Sequence, residues 1–143
     1  MEQFSYASAP LSAEEIRLFS ILPSSNPELP ERLDIELTKA AINDLPDFYA
    51  ISYLWGRPNS SSQDPQNIFV DNKFLSVTRS IQEVLLALRT PEKLWFWADQ
   101  ICINQKDDKE KDLQLPYMAT IYGKSTRTIA WLGAETRNSA AAM

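Results

Sequence analysis

Between positions 99 and 114 the chain gathers groups that can do chemistry without a metal. They are the carboxylates Asp99 and Glu110 and the amides Asn104, Gln105 and Gln114. Carboxylates set among amides suit acid, base or cation-stabilising work, and the amides supply donors and acceptors that orient a polar ligand. Other chemistries are excluded by composition. The sequence holds no histidine, which removes Ser-His-Asp and Cys-His nucleophiles and the common histidine metal sites. Cys102 is the single cysteine, so neither an internal disulfide nor a thiolate metal cluster can form, and no metal ligands are assigned. The three glycines, Gly56, Gly123 and Gly133, are too scattered for a phosphate-cradling glycine loop. With 19 acidic against 14 basic residues the net charge is −5, a field that repels nucleic acid.

Elements must carry these groups to one place. "FYAISYLWG" (48–56), "LWFWADQI" (94–101) and "RTIAWLG" (127–133) are almost continuously apolar, as strands covered on both faces are. Between them lie two helical patterns. Ser80 can cap a helix over 79–89 whose face is Ile81, Val84, Leu85 and Leu88, ended by Thr90-Pro91. A second helix is expected over 108–122, with Leu113, Tyr117, Met118, Ile121 and Tyr122 as its apolar positions and Pro116 kinking or breaking it. Strand, helix, strand, helix, strand implies parallel neighbours with right-handed crossovers. The fold class is therefore α/β, a mixed sheet whose parallel core is formed by strands near 49–55, 94–99 and 127–132. Earlier segments add to it: "IRLFSILP" (16–23), the alternating "RLDIELTKA" (32–40), and "IFVDNKFLSVT" (68–78), a hairpin turning at Asp71-Asn72. These read as edge or hairpin additions. Residues 1–13 read as a flexible lead-in and 14–143 as a single domain, the N-terminal part of a longer chain. No apolar run approaches the roughly 18–20 residues of a membrane span and no signal peptide is visible, so a cytoplasmic protein is expected.

In an open α/β sheet ligands bind beyond the carboxyl ends of parallel strands. Trp55-Gly56-Arg57 follows the first strand and Asp99 through Gln105 the second. Trp55 could stack on a ring and Arg57 could hold a phosphate. Glu110, Gln114, Met118 and Ile121 form one helical stripe whose apolar half must face the sheet, which aims Glu110 and Gln114 at the strand ends near Asp99 and Asn104. A carboxylate held there against apolar walls is prepared for catalysis. Each group also has a structural reading. Acids in a first helical turn are favoured by the dipole, Asp99 can cap backbone amides, and Asn104 and Gln105 can fix a loop. Cys102, between two isoleucines, reads as a buried apolar residue.

Three blocks, "YAISYLWG" (49–56), "LWFWADQICINQKDDKEKDLQ" (94–114) and "MATIYGKSTRTIAWLG" (118–133), resemble the HET domain of filamentous fungi, the heterokaryon-incompatibility module. Ile51, Lys111, Pro116 and Ser125 depart from its usual pattern, and none removes a candidate polar residue. The resemblance implies a domain that triggers programmed cell death when non-self is met at hyphal fusion. HET domains are distantly similar to TIR domains, small flavodoxin-like α/β domains of which several cleave NAD with a glutamate. By that analogy Glu110 is the catalytic residue, and Trp55, Gly56, Arg57, Asp99, Asn104, Gln105 and Gln114 bind the ligand. NAD then enters as substrate, with no bound cofactor. The alternative is a non-enzymatic signalling adaptor working through self-association or recruitment of other signalling domains.

Overall fold

The computed structural model describes residues 2–23, 28, 32–53 and 65–131. The apolar runs become one seven-stranded sheet. Its strands in chain order are β1 (Glu15–Ile21), β2 (Asp34–Ala41), β3 (Tyr49–Tyr53), β4 (Pro65–Val70), β5 (Lys73–Thr78), β6 (Phe96–Trp97) and β7 (Arg127–Trp131). In space they run β5-β4-β2-β1-β6-β3-β7. β3 pairs in parallel with β6 on one side and β7 on the other, which is the parallel core the sequence predicts. Residues 54–55 and 132, assigned to these strands from the sequence, lie outside the described residues.

Three strands differ from expectation. β7, expected to be covered on both faces, is an edge strand among the described residues, with Arg127 and Thr128 exposed and Ile129 and Ala130 half-buried. β1 is no edge addition: it lies mid-sheet, antiparallel to β2 and to β6, with Phe19 opposite Phe96. Every residue from Ile16 to Ile21 is buried, which only a strand flanked and covered on all sides allows. β6 is shorter than 94–99, because the chain leaves the sheet at Ala98 and turns at once into helix α2 (Asp99–Cys102). The hairpin β4–β5 turns where predicted. Asp71 and Asn72 both have positive φ, 53° and 64°, the pair of left-handed residues that matches the twist of the flanking strands.

Helix α1 (Arg79–Leu88) buries Ile81, Val84 and Leu85 against β4 and β5. Its cap is Thr78, whose hydroxyl accepts from the Ile81 amide at 3.4 Å; Ser80, the expected cap, is buried in the first turn instead. Pro116 breaks the second helical region as expected. α3 (Asp108–Gln114) passes through a 3-10 turn, Leu115–Tyr117, into α4 (Met118–Lys124). The Glu110–Gln114–Ile121 stripe does face inward, with Gln114 and Ile121 buried. Leu113, expected on the apolar face, is instead 67% exposed, and Leu115 is 56% exposed. The break changes the phase of the face, so a residue just before it loses its place on the sheet side.

The core joins the sheet's two halves through Phe19, Phe48, Phe96 and Trp97, all buried, with Phe96 5.8 Å from Phe19 and 5.9 Å from Tyr49 between ring centres. The lead-in packs more closely than its sequence suggests. Gln3 bridges to Phe74 on the β5 edge, Phe4 is buried, and Tyr6–Ser8 form a 3-10 turn capped by Ser5. Among the described residues no helix is long and apolar enough to cross a membrane.

Candidate functional site

Asp107 sets the direction of α3. Its Oδ1 accepts from the amides of Lys109 at 3.1 Å and Glu110 at 3.3 Å, fixing the first turn so that Glu110 and, one turn on, Gln114 point back at β1. There Glu110 meets Arg17. The two make a parallel two-bond pair, Nη1 to Oε2 and Nη2 to Oε1, both 2.8 Å. Arg17 is 1% exposed and Glu110 12%. A guanidinium this deep needs acceptors on its remaining donors, and it has them: Nη1 also donates to the Cys102 carbonyl at 3.1 Å and Nε to the Ala9 carbonyl at 3.0 Å. The Tyr6 ring lies 4.8 Å from the guanidinium carbon, and its hydroxyl donates to the Ile101 carbonyl at 2.7 Å. Glu110 Oε2 also accepts from the Asn104 amide.

A guanidinium, and not the apolar wall expected from the sequence, therefore faces Glu110. The pair lines a cavity of about 440 Å³ together with Tyr6, Asn104, Leu113 and Gln114. Because β1 runs antiparallel to β6, its first residues sit at the carboxyl end of β6, the edge where a doubly wound sheet takes ligands. Gln114 donates from Nε2 to the Glu15 carbonyl at 3.0 Å, while its buried Oε1 has no partner.

The structure brings Asn104, Glu110 and Gln114 to one cavity and leaves Asp99 and Gln105 out of it. Asp99 lies toward Tyr122, whose hydroxyl pKa is raised first by burial and then by the Asp99 charge. Gln105 donates from Nε2 to the Asp99 carbonyl at 2.8 Å, and Asn104 Oδ1 accepts from the Lys106 amide at 3.1 Å. Gln100 docks α2 onto the start of α1, exchanging two 3.0 Å bonds with the amide and hydroxyl of Thr78. The loop's side-chain amides thus bond to the loop's own backbone and to Thr78. Trp55, Gly56 and Arg57 lie outside the described residues. Cys102 is fully buried, and burial pushes its thiol up to about 12, where it is inert as a nucleophile. Among the described residues no three His, Cys, Asp or Glu side chains are grouped to hold a metal.

Arg17 and Tyr6 were not among the sequence candidates. Arg17 carried a signal: it is the one charge inside "IRLFSI", and a charge in a strand buried on both faces must have a partner elsewhere. Tyr6 carried none, since nothing local ties it to a loop nearly a hundred residues away.

Residues 48–143 match the family described as heterokaryon incompatibility protein (HET). A curated relative, Heterokaryon incompatibility protein 6, OR allele, from Neurospora crassa, is 34% identical over 146 aligned positions covering 91% of this chain. The chain spans only 21% of that relative's length. No solved structure matches the chain. The family match takes in β3, α2 and the whole of α3 with Glu110 and Gln114, and the chain belongs to the heterokaryon incompatibility (HET) family.

Proposed function

We propose that this domain is the effector of a fungal incompatibility response, triggering cell death by hydrolysing NAD in the Glu110 cavity. The observation that carries this reading is the placement of Glu110: a carboxylate held rigidly at the wall of a cavity of about 440 Å³. Such a volume lies in the roughly 300–1,000 Å³ range of small-molecule sites. A carboxylate offers about four lone-pair directions, and Arg17 and the Asn104 amide use part of that capacity. What remains can accept from a ribose hydroxyl. In the reaction the N-glycosidic bond breaks with its electron pair passing to the nicotinamide ring nitrogen, which becomes neutral. Water then adds to the ribosyl carbon and loses a proton, giving ADP-ribose. Glu110, its charge largely balanced by Arg17, acts through its remaining lone pair, a fixed acceptor for a ribose hydroxyl that does not reorganise as the cation-like ribosyl forms between those steps.

The test is nicotinamide release from NAD by concentrated protein, with Ala13→Trp as the control. Ala13 is an exposed residue of the cavity wall, so the tryptophan fills the cavity without touching the core. Turnover by the parent and its loss in Ala13→Trp at unchanged melting temperature are expected; no release from the parent at any concentration refutes the reaction.

A second reading, the adaptor, is favoured by one observation. Glu110, Asn104, Gln105 and Gln114 each have at least one internal partner, so most of the cluster is held without a ligand, Gln114 Oε1 excepted. On that reading Ala13→Trp kills cells normally, and Leu115→Asp, exposed and outside the cavity wall, abolishes death and self-association together.

A further inference from the structure

The Glu110 cavity has a neighbour. A second cavity of about 390 Å³ adjoins it, sharing Tyr6 and Asn104 as lining residues. Each volume is near the lower end of the small-molecule range of about 300–1,000 Å³, room for a nucleoside but not for a dinucleotide. The second cavity has an apolar side in Phe4 and Leu75 and polar groups in Gln3, Ser76 and Gln105. That makeup holds a flat heterocycle by its face and reads its edge. Gln105 has spent only its Nε2, on the Asp99 carbonyl, which leaves Oε1 to accept from an exocyclic amine.

The septum between the cavities is suited to a charged linker. Lys109 borders the first cavity and Lys106 the second. Asn104, shared by both, accepts through Oδ1 from the Lys106 amide, leaving its NH2 as a donor. Asp107 and Glu14 also line the first cavity, and Asp107 Oδ1 is engaged by two backbone amides at the start of α3, so the lysines and the Asn104 NH2 must outweigh these acids for the diphosphate to cross.

We infer that the two cavities are the two halves of one dinucleotide site: the second takes the nucleoside distal to the scissile bond, and the diphosphate crosses at Asn104 between Lys106 and Lys109. This rests on the NAD reading for the first cavity and adds to it a whole-dinucleotide preference. A mononucleotide carrying only the nicotinamide half occupies the first cavity alone.

The experiment is calorimetric titration with NADH, whose reduced ring is a poor leaving group, beside reduced nicotinamide mononucleotide and AMP. NADH is expected to bind about tenfold or more tightly than either half, because linking two seated halves raises their effective concentration. Ser76→Trp, which fills the second cavity from an exposed strand position, should erase that margin while leaving the mononucleotide's affinity unchanged, and Lys106→Glu, which opposes the phosphates at the septum, should weaken NADH more than the mononucleotide and so shrink the margin. An NADH affinity no better than the mononucleotide's, a margin that survives both substitutions, or no NADH binding overturns the inference. Nicotinamide release judges the reaction separately. A protein that binds as expected but never releases nicotinamide keeps the site and loses the hydrolysis. One that hydrolyses NAD equally well with Ser76→Trp and Lys106→Glu keeps the hydrolysis and loses the second subsite.

Discussion

Two arginines beside the sheet show how differently one side chain can be used. Arg17, on central β1, is 1% exposed and joins Glu110 across 93 positions of sequence. Arg32, just before β2, is 28% exposed and pairs with Asp34 two residues away at 3.1 Å, lying 4.0 Å over the Phe69 ring and reaching Asn72 in the hairpin turn. The second pair is local and wet. Its partners would meet in a short peptide, and water competes for every bond. The first is distant and dry: it fastens β1, α2, α3 and the lead-in at one point, and its charge has no other outlet. Burial therefore makes the Arg17 contact expensive to break rather than strong in itself.

The largest expected effect follows from that difference. Arg17→Met or Glu110→Gln leaves one member of a buried pair uncompensated and should cost about 3–5 kcal/mol of stability, read by urea unfolding. The double substitution Arg17→Met with Glu110→Leu should recover most of the loss, since it removes both charges. Equal losses in single and double variants would show that packing, not charge, is at stake. Activity lost in Glu110→Gln alone is accordingly no evidence of catalysis unless the fold is shown to survive.

Raising the pH should also separate the two sites. Around Arg17, burial raises the Cys102 thiol from an ordinary 9 to about 12, and burial first, with the Cys102 charge second, raises the Tyr6 hydroxyl above its ordinary 10. In both cases the native state keeps a proton that the unfolded chain gives up. Stability is thus fully present below about pH 9 and falls as pH climbs toward 12. Cys102→Ala should remove the first part of that decline in a pH series of melting temperatures, and a flat profile in the parent above pH 9 would contradict the burial assigned here. Disrupting Gln100, buried and committed twice to Thr78, comes next in size. Gln100→Leu should cost about 1–3 kcal/mol by stranding the Thr78 amide. Smallest is Arg32→Ala, about 0–1 kcal/mol, shrinking further in 1 M salt, where screening acts within about 3 Å. A larger, salt-insensitive loss would mean the Phe69 stacking matters more than the ion pair.

Legibility in the sequence divides along the same line between local and distant. The inner parallel strands could be read because burial demands unbroken apolar residues, as in "FYAIS" and "LWFW", whereas β7, equally apolar in sequence, is an edge strand exposed at Arg127 and Thr128. Asp71-Asn72 and Pro116 could be read because turn and helix breakage depend on a residue's own backbone. The inward stripe of Glu110 and Gln114 followed from helical period alone. What those two residues touch did not. Arg17 and Glu15 meet them through the antiparallel seating of β1 beside β6, and no periodicity in "EIRLFSI" distinguishes a central strand from a covered edge. The first-turn cap moved from Ser80 to Thr78 for a similar reason. Both hydroxyls fit the local frame, and Gln100, from another element, holds Thr78 in place.

The seating of β1 has a consequence for synthesis. Its neighbour β2 emerges from the ribosome soon after it, but the strand on its other side, Phe96–Trp97, is made roughly 75 residues later. At about 5–20 residues per second, the second edge of β1 stays unpaired for on the order of 4–15 s on each nascent chain. During that interval a strand whose residues Ile16–Ile21 are all buried in the native sheet, with Arg17 still lacking Glu110, presents an open hydrogen-bonding ladder to whatever is near, including the same strand on the next ribosome of the message.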